Sequence, residues 1–361
     1  MRKSIYMILA AALLTAACEN DVDIIWSDSN KAILVLNAQL QQDDASHRIF
    51  INCSEGSRSE KVTDADVTCS INGGTAIKVL PATVEYDLFD GSTASEHTGY
   101  GFDTSLKAGD RLDIQVRWKG LSASASFTVP ESSAKITAVD TARVELAEEG
   151  NYGGNTHTTR QYLITVKDKP DEKNYYMLRF QDVYYKLDES GAKVDSLVCR
   201  GSFDASDDKI LHPVQNSIID ELFGNYNDYD IFNDEMFSGS TCTLKVYDSY
   251  YALYFDDWMN FWNKFLEGER YSLDRRIKVY TITFDEYLYL NAIGSAANDL
   301  EFMTEPVIYP ENVTGGLGFV SVATPTVWAI SFPPQEYDGE APINAYRYVD
   351  PMYYPEDWPT E

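Results

Sequence analysis

The sequence predicts a chain that is mainly β with some α: an N-terminal immunoglobulin-like or transthyretin-like β-sandwich, then a larger β-rich α+β domain with two helices. Three observations predict this. Short runs that alternate apolar and polar residues, or are rich in β-branched side chains, recur about every ten residues from Ala32 to Pro130. Turn signals built on glycine separate them, at Asn72-Gly73-Gly74, Asp90-Gly91 and Ala108-Gly109-Asp110. Helical three- and four-residue spacing shows at two places, both in the second half of the chain. Hydrophobic residues make up 44% and aromatics 13% of 361 residues, enough to bury real cores in about two domains.

Residues 1–17 read as a secretory signal. Met1-Arg2-Lys3 is a short basic head, Ile5 to Leu14 an almost unbroken apolar run, and Thr15-Ala16-Ala17 are small residues directly before Cys18. That order predicts cleavage before Cys18 and a lipid on its thiol, so the body is expected to be tethered to a membrane. Leu14 sits one place earlier than the leucine of a usual lipobox. No other segment holds the ~18 consecutive apolar residues that span a bilayer. Residues 18–31 form a tether in which Glu19, Asp21 and Asp23 stand close to the anchor.

The sandwich, residues 32–130, is assembled from AILVLNAQL, RIFINCS, ADVTCSING, TAIKVL, RLDIQVRW and SASASFTVP, and Pro130 closes it. The second domain, residues 134–334, draws its strands from KITAVDTARVEL, RQYLITVKD, NYYMLRFQDVYYKL, STCTLKVYD and RRIKVYTITF. One helix is expected from Asp248 to about Glu267, where Tyr251, Tyr254, Phe255, Trp258, Phe261, Trp262 and Phe265 form a stripe best read as core. A second starts at Thr283-Phe284-Asp285-Glu286, a Thr-x-x-Glu capping box. The tail, residues 335–361, is rich in Tyr, acids and Pro from Pro342 to Pro359, which argues against regular structure.

The net charge of −28 repels nucleic acid, and no basic stripe offsets it, so nucleic-acid binding is excluded. The four histidines show no H-x-x-x-H or H-E-x-x-H spacing and no Cys-x-x-Cys occurs, which argues against zinc. Nucleophile elbow, phosphate-binding loop and dinucleotide fingerprint are all missing. Gly315-Gly316-Leu317-Gly318 precedes a strand rather than a helix, so a tight turn or bulge with positive φ suits it better than a phosphate cradle. The chain is therefore read as non-catalytic and free of cofactors, calcium excepted. Asn225, Asn227, Asp228 and Asp230, continuing to Asn233, Asp234 and Glu235, place hard oxygen ligands close together, as Ca²⁺ needs, although the EF-hand spacing is absent. A solvated turn is the alternative, and the tyrosines between these residues could instead contact a glycan or peptide. Cys53, Cys69, Cys199 and Cys242 are compatible with two disulfides, paired locally within each domain, or with buried free thiols.

Seven segments, in order, resemble one family. AILVLNAQL, DADVTCSING, GYGFDTSLKAGDRLDIQV, DEKNYYMLRF, NDEMFSG, TITFDEYLYLNAI and FMTEPVIYPENVTGGLGFVSV are similar to the Bacteroidetes lipoproteins of domain of unknown function 4249. The last segment is the most specific. The departures are Thr283, where the family often has Ser, and the helical insert around Trp258–Phe265. The resemblance implies an outer-membrane lipoprotein, with the acidic tether resembling the signal for display on the cell exterior, and a TonB-dependent receptor as partner. It transfers no catalytic or binding residue and leaves the ligand unknown. Asp140-Thr141-Ala142 and Asp195-Ser196-Leu197 resemble an O-glycosylation pattern of the same bacteria, with Thr141 and Ser196 as acceptors. Three functional classes follow: an accessory binding module, a fimbrial or adhesin subunit that exchanges strands, and a carboxylate-based hydrolase with a deep acidic cleft.

Overall fold

The computed structural model describes residues 31–55, 58–87, 93–147, 156–212, 227, 229–248, 270–298 and 309–336. They form a fold that is mainly β, with one helix among the described residues. The first strands are β1 (Ile33–Gln41), β2 (Ser46–Glu55), β3 (Arg58–Lys61), β4 (Asp66–Ile71), β5 (Ile77–Asp87), β6 (Thr93–Asp103), β7 (Arg111–Trp118) and β8 (Leu121–Thr128). Next come β9 (Ala134–Ala147), β10 (Thr156–Asp168), β11 (Tyr175–Leu187), β12 (Lys193–Gly201), β13 (Phe203–Asp204), β14 (Ile231–Asn233) and β15 (Thr241–Asp248). β16 (Arg270–Ile282), helix α1 (Phe284–Asn298), β17 (Val313–Thr314), β18 (Val320–Ser331) and β19 (Gln335–Glu336) complete it.

Alternation builds the first half. Along β1 every second residue is buried, which places Leu34, Leu36, Ala38 and Leu40 on one face. They join Ile49, Ile51, Val67, Ile114, Val116 and Tyr100 in one apolar core. Two-residue hairpins set the registers. Lys119 and Gly120 both take positive φ between Trp118 and Leu121, the backbone that suits the twist of paired strands. Asn72 and Gly73 also take positive φ where the sequence signalled a turn, at the start of the longer link from β4 to β5.

β1 does not end a sheet. It pairs with β2 on one side and, in parallel, with β18 on the other, in the middle of a 15-stranded sheet whose main path is β12-β11-β16-β18-β1-β2-β6-β5-β4-β7-β8-β17, with β14 beside β11, β19 beside β16 and β3 beside β2. Val320 and Val322 of β18 thereby enter the first core. The glycine turn before β18 makes this approach possible. Leu36 N–H donates to Leu317 O, and Leu317 N–H to Leu34 O, at 2.9 and 2.8 Å. A Cβ on Gly316 would stand 2.6 Å from Leu34 O, and one on Gly318 would collide with Leu36 O. Gly315 and Gly318 have φ of 77° and 114°, as the turn reading expects.

In the second half β11, β16 and β18 of the large sheet are covered on one face by a 4-stranded sheet, β13-β15-β10-β9. Tyr162, Ile164 and Val166 meet Tyr176, Leu178, Phe180, Ile277 and Val279 between the layers. The other face carries α1 over Met177, Tyr280, Ile282 and Ala323. The expected helix beginning at Asp248 lies otherwise outside the described residues, and Asp248 itself closes β15. Gln335 and Glu336, assigned to the irregular tail, pair with Tyr271 and Arg270 as β19.

Candidate functional site

Asn174, Tyr175 and Tyr176 open β11 with three different tasks. Asn174 is buried, and its Nδ2 donates to Asp168 Oδ1 and to the carbonyls of Lys169 and Glu172, at 3.1, 3.1 and 3.2 Å. Tyr176 points into the core, where its hydroxyl donates to Asp168 Oδ1. Gly239 N–H donates to Asp168 Oδ2 at 2.6 Å, so the buried carboxylate is surrounded by donors. Burial first, and the Asp168 carboxylate next, push the Tyr176 phenol far above its ordinary range. Tyr175, one residue earlier, faces outward. Its ring centroid lies 5.1 Å from Phe284 and 5.0 Å from Tyr287 on α1.

α1 begins as its sequence demands. Glu286 N–H donates to Thr283 Oγ1 at 3.1 Å, and Tyr287 N–H to Thr283 O at 2.9 Å. Its inner side seats Glu286, Tyr289 and Leu290, with Tyr289 stacked on Phe319 at 4.5 Å. Its outer side leaves Phe284 50% and Leu288 38% exposed, one helical turn apart. Tyr175, packed on Phe284 and Tyr287, completes an aromatic shelf with them beside the acid Asp285, whereas Tyr309, 43% exposed, meets Tyr289 at 6.5 Å. Beneath it Glu286 is 2% exposed, and neither its Oε2 nor Ser321 Oγ has a hydrogen-bond partner among the described residues. Burial pushes the Glu286 carboxyl up to about 7, against smaller pulls from Ser321 and the charge of Arg179.

A second polar cluster lies between the two sheets. Arg275 is 0% exposed on β16. Its Nε and Nη2 grip both oxygens of Asp182 on β11, at 2.7 and 2.6 Å. Its Nη1 donates to Tyr162 Oη on β10 at 2.6 Å and to Asp248 Oδ1 at the end of β15. The guanidinium also lies 5.3 Å from the Phe180 ring centroid. Burial works against its charge, but Asp182, then Tyr162 and Asp248, outweigh it and hold Arg275 well above its ordinary range. The cluster ties layer to layer and spends its hydrogen-bonding capacity inside the core.

Residues 19–327 match the family described as Domain of unknown function (DUF4249). The chain belongs to that family. No curated protein matches it. In this DUF4249 protein, the segments that resemble the family converge. DEKNYYMLRF and NDEMFSG meet around Asp168, TITFDEYLYLNAI supplies α1, and the glycine-rich segment ties β18 to β1.

The residues singled out in the sequence fall at scattered places. Cys18 lies outside the described residues. Of the two cysteine readings, disulfides or buried free thiols, the second holds for Cys53, Cys69 and Cys242. Cys53 on β2 and Cys69 on β4 are separated in the sheet by β6 and β5. Cys242 belongs to the smaller sheet, whereas Cys199 sits on β12 at the far edge of the larger one. Burial raises the Cys69 thiol to about 11 and that of Cys242 to about 12.

The calcium set is described only in part. Asn225 and Asp228 lie outside the described residues. Asn227 spends its side chain on Leu211 O, Ile231 O and Ile231 N–H, at 2.8, 2.7 and 3.0 Å. Asp230 pairs with Arg179 at 3.0 Å. Asn233 Oδ1 accepts from Glu235 N–H at 3.0 Å, and Glu235 pairs with Lys173 at 2.7 Å. Among the described residues no group of three or more His, Cys, Asp or Glu side chains is placed to hold a metal ion. Thr141 on β9 and Ser196 on β12 are both exposed.

The sequence reading missed Asp168 and Arg275, and took Glu286 for a cap alone. The signal for Arg275 was present: it shares a strand face with Ile277 and Val279, which are core residues.

Proposed function

We propose that this DUF4249 protein is a non-catalytic lipoprotein of the outer membrane, anchored through Cys18 and facing the cell exterior. Its role is that of an accessory binding module of a TonB-dependent uptake system. The observation that carries the reading is the head of the chain: a basic start, an apolar run and small residues ending at Cys18, then an acidic tether. Two features of the body support it. Three of its buried charges, Arg275, Asp182 and Asp168, are engaged with one another or with neighbouring donors. Its aromatic shelf on α1 offers a surface for contact rather than for chemistry. The fimbrial alternative requires β1 to be removed or exchanged, and here that strand is held by ladders on both sides.

The test is a pull-down of the native lipidated protein from detergent-solubilised outer membranes. A TonB-dependent receptor recovered in stoichiometric amount is the expected result. Recovery of the protein alone, or as a ladder of its own polymers, overturns the reading.

A further inference from the structure

We propose that α1 is a protonation-gated cover on the outer face of the β11-β16-β18 sheet: it seats fully while Glu286 carries a proton and loosens when Glu286 ionises. The geometry comes first. Glu286 faces inward from the first turn of the helix, is 2% exposed, and has Ser321 of β18 opposite it. An acid oxygen and a hydroxyl oxygen are thus shut in together, neither in hydrogen-bond geometry with any described group, so the nearby Ser321 hydroxyl offsets only part of the cost of burying a charge. A neutral carboxylic acid tolerates such a seat far better than a carboxylate does.

The surroundings do not neutralise the charge. β11 brings Arg179, whose Nη1 already donates to Asp230 Oδ2 and to the carbonyls of Tyr229 and Leu178. The Tyr229–Asp230 turn brings Asp230, committed to that same pair. β16 brings Tyr280 and Lys278 on the α1 side, the latter held by Asp43 at 2.8 Å. β18 contributes Ser321 and nothing that ionises. The helix itself adds Asp285, Tyr287 and Tyr289, none of them cationic, and it has no basic residue in its last turn.

Among the described residues, Leu290 is the α1 side chain in the apolar cluster of Met177, Ile231, Tyr280, Ile282 and Ala323, with Tyr287 packed against its edge. Tyr289 adds its stack on Phe319. A charge placed under the first turn of a helix is enough to shift the docking of that turn. Loosening would uncover Tyr175, Met177 and Ala323, and would carry the Phe284–Leu288 shelf away from the sheet.

The experiment is amide hydrogen exchange on the full chain from about pH 5 to about pH 9, corrected for intrinsic rates, in the native sequence and in Glu286→Gln. Glutamine has the shape of the neutral acid and cannot ionise. In the native sequence, protection of the amides from Tyr287 to Ala292 falls by at least about tenfold as pH rises through neutrality, while the β16 amides hold steady. In Glu286→Gln the α1 protection stays flat. Protection of α1 that ignores pH in the native sequence, or that falls equally in Glu286→Gln, overturns the proposal. Ser321→Ala gives a second reading if the glutamine variant does not fold. Its transition moves to higher pH, because a hydroxyl favours the ionised acid, and an unmoved transition counts against Glu286 as the switch.

Discussion

The two halves of the molecule solve the same packing problem with different materials. The core around β1, β2, β4 and β7 is apolar almost throughout, and the polar residues buried near it are His47 and Thr98. The core around β10, β11 and β16 encloses Asp168, Asp182, Asp208, Asp248 and Arg275, with Asp234, Lys278 and Glu286 close by. An apolar core tolerates volume-conserving change and is specified by pattern. A charged core is specified by partners, because each carboxylate left alone in the interior is costly. Asp208 shows the rule in small: Ile210 and Leu211 N–H donate to Oδ1 at 2.8 and 2.9 Å, and Lys245 N–H to Oδ2 at 2.6 Å.

The largest effect that would break this contrast comes from Arg275→Met. It leaves Asp182 without its cation and Asp248 with only Arg160, at 4.0 Å, and a loss of roughly 3–5 kcal/mol is expected in denaturant unfolding. The triple variant Arg275→Met, Asp182→Leu, Asp248→Leu sharpens it by recovering most of that loss. A single-variant cost below about 1 kcal/mol would show that the cluster is dispensable.

Glu286 gives the next effect. Its folded value is about 7 against an ordinary 4.5, so the folded chain keeps a proton that the unfolded chain releases between those pH values. Stability therefore declines as pH rises from the lower value to the higher, by roughly 3 kcal/mol, and the penalty is complete above it. Glu286→Gln, compared by urea titration at both ends of that window, removes this part of the slope. An unchanged slope would place the titrating group elsewhere.

Gly318→Ala tests the seam between the halves. The residue needs φ of 114° and sits against Leu36 O, so roughly 1–3 kcal/mol is expected, together with separation of one melting transition into two. A single transition with unchanged midpoint would mean that the β1–β18 ladder does not couple them. Thr283→Ala is the smallest. Losing the acceptor for Glu286 N–H costs about 1 kcal/mol and frays the start of α1, visible as faster exchange there and nowhere in the first core.

Much of the strand plan was legible because alternation is a local signal. RLDIQVRW became β7 and SASASFTVP became β8, joined at a Lys-Gly turn. β6 was not legible. Gly99 and Gly101 interrupt its pattern, and Gly99 lies so close to Ile49 O that an added Cβ would stand 2.8 Å away. Nor was the union of β1 with β18, since nothing local marks a parallel partner hundreds of residues away. The polar cluster was half legible. Arg275 aligns with Ile277 and Val279, Asp182 with Phe180 and Leu178, Asp248 with Val246 and Leu244. Period-two reading puts all three charges indoors, and only the habit of placing charges outside hid them. Glu286 was legible as a helix start because the capping box is local, but its burial depends on Ser321 and the sheet beneath.

The interior position of β1 also has a mechanical meaning. A pull on the N-terminal end of the chain enters the body at Ile33 and runs along the strand. The hydrogen bonds to β2 and to the Leu317–Ala323 stretch lie across that line, so they are loaded side by side and must yield together rather than open one after another. A force applied at that end would thus meet two ladders at once and reach both halves through a single strand.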